Sequence, residues 1–199
     1  VGYPGIMGAG AAAVLYGTGT GLSATDNQMW SQGSEGVVGN PYPWEDLGAS
    51  VTVGDFNGDR IADVAIGIPD DWLDPDRPGA VQVLYGTPTG LDSADNQLWL
   101  QNSPDILEVS EDDDAFGYAV AAGNFNGDAF DDLAVGVPDE DLGASANAGC
   151  VNVLYGSAGG LSADGNILLH QDLPGTENGT EAEDRFGGAL AVGDFDGDG

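Results

Sequence analysis

Apolar and polar positions along the chain fall into short runs broken by Gly, Pro, Asn and Asp, and no window carries a helical period. Within one stretch the pattern predicts four strands. The first lies near Ala49–Gly54 and the second over Ile61–Ile68, where apolar residues are nearly continuous. The third spans about Ala80–Tyr85, with Val81 and Val83 alternating with Gln82, and the fourth lies near Gln97–Gln101. Runs of this length bounded by turn residues are strand signals. The 34 glycines and 10 prolines fit a chain of many tight turns.

The pattern repeats. Gly54-Asp55-Phe56-Asn57-Gly58-Asp59 returns as Gly123-Asn124-Phe125-Asn126-Gly127-Asp128 and as Gly193-Asp194-Phe195-Asp196-Gly197-Asp198. Val14-Leu15-Tyr16-Gly17 returns at Val83–Gly86 and Val153–Gly156, each followed by a Gly-Leu pair. Asp26–Gln32 returns as Asp95–Gln101, with a fainter copy ending at Gln171. All three markers recur after 69 or 70 positions, one supersecondary unit per period. Four short strands per unit, set radially, make a blade of a β-propeller, and stacked blades bury faces that one blade leaves bare. The fold class expected is therefore all-β, with four antiparallel strands per repeat. The register divides the chain into the end of a blade at 1–46, complete repeats at 47–115 and 116–185, and the start of another at 186–199. Val1–Pro4 matches the end of a second strand, so the expectation is a piece of a longer repetitive protein. Nearly three repeats fall short of the roughly four to eight blades of a closed ring.

Charge changes the picture. There are 34 acidic residues against three arginines (Arg60, Arg77 and Arg185), for a formal charge of −31. Nucleic acid and anionic membranes need basic surface, so neither is an expected partner, and no run is apolar enough to insert in a bilayer. Part of the acidity reads as a solvating surface suited to a salty medium. The rest sits at fixed spacing. In the loop Asp55–Asp63, oxygen-bearing side chains fall at positions 1, 3, 5 and 9 (Asp55, Asn57, Asp59, Asp63), with the Ile61 carbonyl at position 7. Alternate side chains on a tight turn converge, and calcium takes about six to eight such oxygens. Phe56, at an even position, is expected to face the core. The competing reading is an Asx-rich turn without metal. The second loop offers Asn124, Asn126, Asp128, the Phe130 carbonyl and Asp132, one carboxylate fewer, and is expected to hold calcium more weakly. The third offers Asp194, Asp196 and Asp198 and lacks its ninth position.

These motifs resemble the FG-GAP repeats of integrin alpha-chain propellers and their bacterial relatives. The naming elements are Phe116-Gly117 and Phe186-Gly187 (Leu47-Gly48 in the first copy) and Gly-x-Pro at Gly67–Pro69 and Gly136–Pro138. The resemblance implies calcium in β-hairpin loops, an extracellular location, and use in adhesion or ligand binding. One departure is loop position 6, where the family's glycine is Arg60 and Ala129.

Other features carry weaker readings. Glu45, Asp114 and Asp184 share a register before Leu47, Phe116 and Phe186; a solvated loop or turn cap is the plain reading and an auxiliary cation site the sharper one. Trp30 and Trp99 repeat in register and read as blade packing, with a sugar platform as the alternative that would include Trp44. Cys150 reads as a small buried hydrophobe, His170 has no assigned role, and Asn178-Gly179-Thr180 fits a glycosylation acceptor. With the acids absorbed by a repeat, no distinct nucleophile, base and orienter is left, so an enzyme is not expected. The expectation is a secreted or cell-surface, calcium-binding propeller with a protein or glycan ligand. The alternative is a filament or surface layer, self-assembled through blade edges. Loops of modest affinity load in millimolar extracellular calcium.

Overall fold

The computed structural model describes residues 6–71, 78–176 and 178–195. Every regular element among them is a strand, and no described helix is long and apolar enough to cross a membrane. A hairpin of β1 (Ala12–Thr18) and β2 (Gly21–Trp30) precedes two four-stranded antiparallel sheets. The first runs in chain order through β3 (Val51–Gly54), β4 (Asp63–Ile68), β5 (Ala80–Thr87) and β6 (Gly90–Leu100). The second does the same through β7 (Ala119–Gly123), β8 (Asp132–Val137), β9 (Cys150–Tyr155) and β10 (Ser162–Leu169). These sheets are propeller blades.

Composition follows position in each blade. Strands β4, β5, β8 and β9 are central, flanked by partners on both sides, and are buried along almost their whole length. That accounts for their near-continuous apolar runs. The predicted third and fourth strands lengthen into one ribbon, because Tyr85 pairs with Asp92 and Thr87 with Gly90 after a register shift at Val83/Tyr85. Such a bulge kinks the ribbon and re-aims the side chains beyond it.

Blade faces stack through apolar clusters. Phe56, Val83 and Tyr85 of the first blade join Leu133, Val135, Leu154 and Leu161 of the second. Ile66, Leu84 and Leu91 of the first blade take Val14 and Trp30 from the β1–β2 hairpin. Trp99 packs on the first of these clusters, in keeping with packing as the role of the repeated tryptophans, whereas Trp44 is 58% exposed.

A polar clasp recurs at each junction. Gln28 donates Nε2 to the Leu91 carbonyl at 2.8 Å and accepts the Leu91 N–H and the Tyr16 hydroxyl on Oε1. Gln97 repeats this toward Leu161, with Tyr85 in place of Tyr16. Gly67 explains the Gly-x-Pro element: a Cβ there would lie 2.0 Å from the Gly117 carbonyl oxygen of the following repeat. Only glycine lets the two backbones approach that closely.

Candidate functional site

The first acidic loop links β3 to β4, and its conformation is written in local hydrogen bonds. Asp55 Oδ2 accepts the Arg60 N–H at 2.8 Å, Asn57 Oδ1 accepts the Asp59 N–H at 2.9 Å, and Asp59 Oδ1 accepts the Ile61 N–H at 2.8 Å. The Asn57 and Asp59 bonds, each to a backbone N–H two residues on, are Asx turns, whereas Asp55 reaches five residues on and closes the loop. Gly58 has φ 75°, and the Phe130 ring lies against it from the next blade.

Arg60 has φ 69°. A side chain in the left-handed region costs about 1–2 kcal/mol, which is why glycine suits this position. Ala129, its counterpart, does not adopt that conformation. Arg60→Gly is therefore expected to recover about 0.5–1 kcal/mol after the entropy that glycine adds to the unfolded chain. Urea unfolding of the variant checks this, and Ala129→Gly, which relieves no strain, is expected to destabilise.

Asp63 has a different job from the other acids of the loop. It is fully buried, with Oδ2 accepting the Phe56 N–H at 2.9 Å and Oδ1 accepting the Gly86 N–H at 2.8 Å. It thus ties the loop's start to the end of β5. Burial, partly offset by these two bonds and reinforced by the charges of Asp59 and Asp55, pushes its carboxyl up to about 6. Asp132 repeats the arrangement with the N–H groups of Phe125 and Gly156, and burial raises its pKa as well.

One oxygen in the first loop is left over. Asp55 Oδ1 is buried without a hydrogen-bond partner. An unmatched buried carboxylate oxygen is costly, and a cation would satisfy it. The donor set of Asp55, Asn57, Asp59 and Asp63 therefore fits a hard cation, although among the described residues no three acidic, His or Cys side chains are gathered closely enough to enclose one. In the second loop the amides do what a cation would do. Asn124 Nδ2 donates to the Asp128 carbonyl at 2.7 Å and Asn126 Nδ2 to Asp128 Oδ2 at 2.9 Å, while Asn124 Oδ1 accepts the Gly127 and Asp128 N–H groups. Asp194 is exposed, and Asp196 and Asp198 fall outside the described residues.

Sequence reasoning missed Asp131. Its Oδ2 accepts the Asp55 N–H at 2.8 Å and its own N–H donates to the Asp55 carbonyl at 2.9 Å, bracing loop one from blade two. The corresponding residue of the first repeat is Ala62, so nothing periodic pointed to it.

Sequential four-stranded antiparallel blades, each with an acidic loop between its first two strands, define a propeller-repeat protein. The FG-GAP repeat profile matches residues 47–84 and 116–151, and the chain belongs to the FG-GAP, integrin alpha-like family. Mouse phosphatidylinositol-glycan-specific phospholipase D is 37% identical over 130 residues, 64% of this chain and 15% of the relative. Chicken integrin alpha-V is 31% identical over 183 residues, 87% of this chain and 14% of the relative. Integrin alpha-3 of Cricetulus griseus is 29% identical over 133 residues, 65% of this chain and 11% of the relative. The chain thus spans less than a fifth of each of these relatives' own length.

Proposed function

We propose that this chain is a calcium-stabilised, non-catalytic propeller module that works outside the cell in adhesion or ligand binding, with a protein or glycan as its ligand. Its repeats are taken as 47–115 and 116–185, flanked by parts of two others. The observation that carries the calcium reading is the buried, unmatched Asp55 Oδ1 at the head of a loop already crowded with carboxylates. Asp55, Asn57, Asp59, Asp63 and the Ile61 carbonyl would hold the ion in loop one. Asn124, Asn126, Asp128, Asp132 and the Phe130 carbonyl would hold a weaker one in loop two, because that loop has one carboxylate fewer and an Asn126 amide N–H already bonds Asp128 Oδ2. Asp194, Asp196 and Asp198 are proposed as part of a third. The ion cancels repulsion among the acids and fixes the bend that positions Phe56.

A non-catalytic role is supported by the same repetition: the acids serve a periodic loop, and Cys150 is fully buried, with burial pushing its thiol pKa up. Two relatives are integrin alpha chains by name, which supports adhesion. The phospholipase named among the relatives aligns over 15% of its length, and its activity is not carried over.

Thermal unfolding in calcium and in chelator tests this. Ion at a hundred times its Kd adds about 2.7 kcal/mol, or roughly 5–10 °C in a domain of this size. Asp55→Asn is expected to lose much of that gain, and Asn124→Asp to increase it. A melting curve indifferent to chelator would sink the calcium reading.

A further inference from the structure

Each junction between blades buries a pair of acids that the loops do not use. At the second junction Glu140, just past β8, is fully buried, and Asp114, just before Phe116-Gly117, is 1% exposed. Gln101, beyond the end of β6 and also 1% exposed, donates Nε2 to Glu140 Oε2. Asp114 Oδ2 accepts the Glu111 N–H at 2.6 Å, and its backbone carbonyl accepts the Asp139 N–H at 3.3 Å. The turn-cap reading of this register therefore holds, but Glu45 and Asp114 are buried rather than solvated.

Two oxygens of this cluster are buried with no hydrogen-bond partner: Oε1 of Glu140 and Oε1 of Gln101. Each shares its head group with an atom of the Gln101–Glu140 contact, so both belong to one cluster. A water could donate to both oxygens but would bring no counter-charge for the two acids once they ionise. Arg185, the basic side chain described nearby, pairs with Asp139 instead at 2.6 Å. Burial, then the charge of Asp114, pushes Glu140 up to about 8, and burial pushes Asp114 up to about 7.

The same arrangement recurs one period earlier. Gln32, 3% exposed, donates Nε2 to fully buried Asp71 at 2.8 Å, its Oε1 has no partner, and fully buried Glu45 accepts the Tyr42 N–H at 2.7 Å. One period later Gln171 again has a buried Oε1 without a partner, and Asp184 accepts the Glu181 N–H at 2.8 Å.

We propose that each blade junction is a second cation site, distinct from the hairpin loops, in which Gln101, Asp114 and Glu140 at one junction and Gln32, Glu45 and Asp71 at the other bind a divalent ion of the calcium type. Two carboxylates match its charge, and an amide oxygen supplies a neutral hard donor. The ion replaces a buried like-charge pair with a bridge between blades.

Counting bound calcium by native mass spectrometry, alongside thermal unfolding, tests this on the intact chain. Glu140→Gln keeps the side chain's shape and removes one buried charge. It is expected to bind one calcium ion fewer than wild type, to show a smaller calcium-induced rise in Tm, and to melt no lower than wild type in chelator. Asp114→Asn is expected to weaken the same site at least tenfold. Asp55→Asn removes a loop ion and leaves the junction ion in place, so failure of one reading is separable from failure of the other. Wild-type stoichiometry in folded Glu140→Gln overturns the proposal. So does a wild type that binds no more calcium ions than its hairpin loops account for, because the buried pair then holds a proton rather than an ion.

Discussion

Replacing Asp63 by alanine lowers folding stability by about 2–4 kcal/mol even with all calcium chelated, because it orphans two buried N–H groups. Those of Phe56 and Gly86 have Asp63 as their acceptor, at 2.9 and 2.8 Å, and the residue is fully buried. Each such group costs about 1–3 kcal/mol when left unmatched. Relief of a charge that burial disfavours offsets part of this, since the Asp63 carboxyl is pushed up to about 6. Asp63→Asn is the sharper variant. It keeps the shape and one acceptor oxygen but turns an NH₂ toward one of the two donors, so it is expected to lose most of what alanine loses. Urea unfolding in chelator separates the clamp from ion binding. Variants that match wild type in chelator and fall behind only in calcium would show that Asp63 serves the ion alone.

Much of the blade was legible in the sequence, for a physical reason. Central strands are covered on both faces, so Asp63–Ile68 and Ala80–Leu84 had to be apolar nearly throughout, and the period then placed their copies. The outer strand was read too short. It begins at Gly90 rather than Gln97, since Asp92, Ser93 and Asp95 lie on an edge strand that leaves much of their surface in solvent and so carry no apolar pattern. The first strand was read two residues long, because Ala49 closes a turn onto Asp46. Loop register was legible from spacing, and so was the inward direction of Phe56. The double bond made by Asp63 and the brace from Asp131 were not, because their partners lie far off in sequence and are brought near by folding. The burial of Glu45 and Asp114 was hidden for a related reason: an acid on a linker reads as solvated until the neighbouring blade covers it.

Phe56 occupies an even position of the acidic loop, between Asp55 and Asn57, and it couples that loop to the core. Its ring is fully buried in the cluster shared by both blades, close against Gly54, while its carbonyl accepts the Ser157 N–H at 3.1 Å. Phe56→Ala is expected to cost about 3–5 kcal/mol, the usual loss for a buried phenylalanine once the cavity is counted. That is a fall in Tm of roughly 10 °C in a domain of this size. The built-in comparison is Phe125, which holds the same place in the second loop but is 41% exposed. Phe125→Ala is expected to lose less than half as much, since truncation there removes less buried area and leaves less of a void. Equal losses at the two positions would mean that the second blade does not seat on the first loop as described. If Phe56→Ala also weakens calcium binding while Phe125→Ala does not, the core sets the loop's affinity by holding the bend in its binding shape. An unaltered calcium titration in folded Phe56→Ala would place loop order wholly in the Asx turns of Asn57 and Asp59 and the Asp55–Arg60 bond.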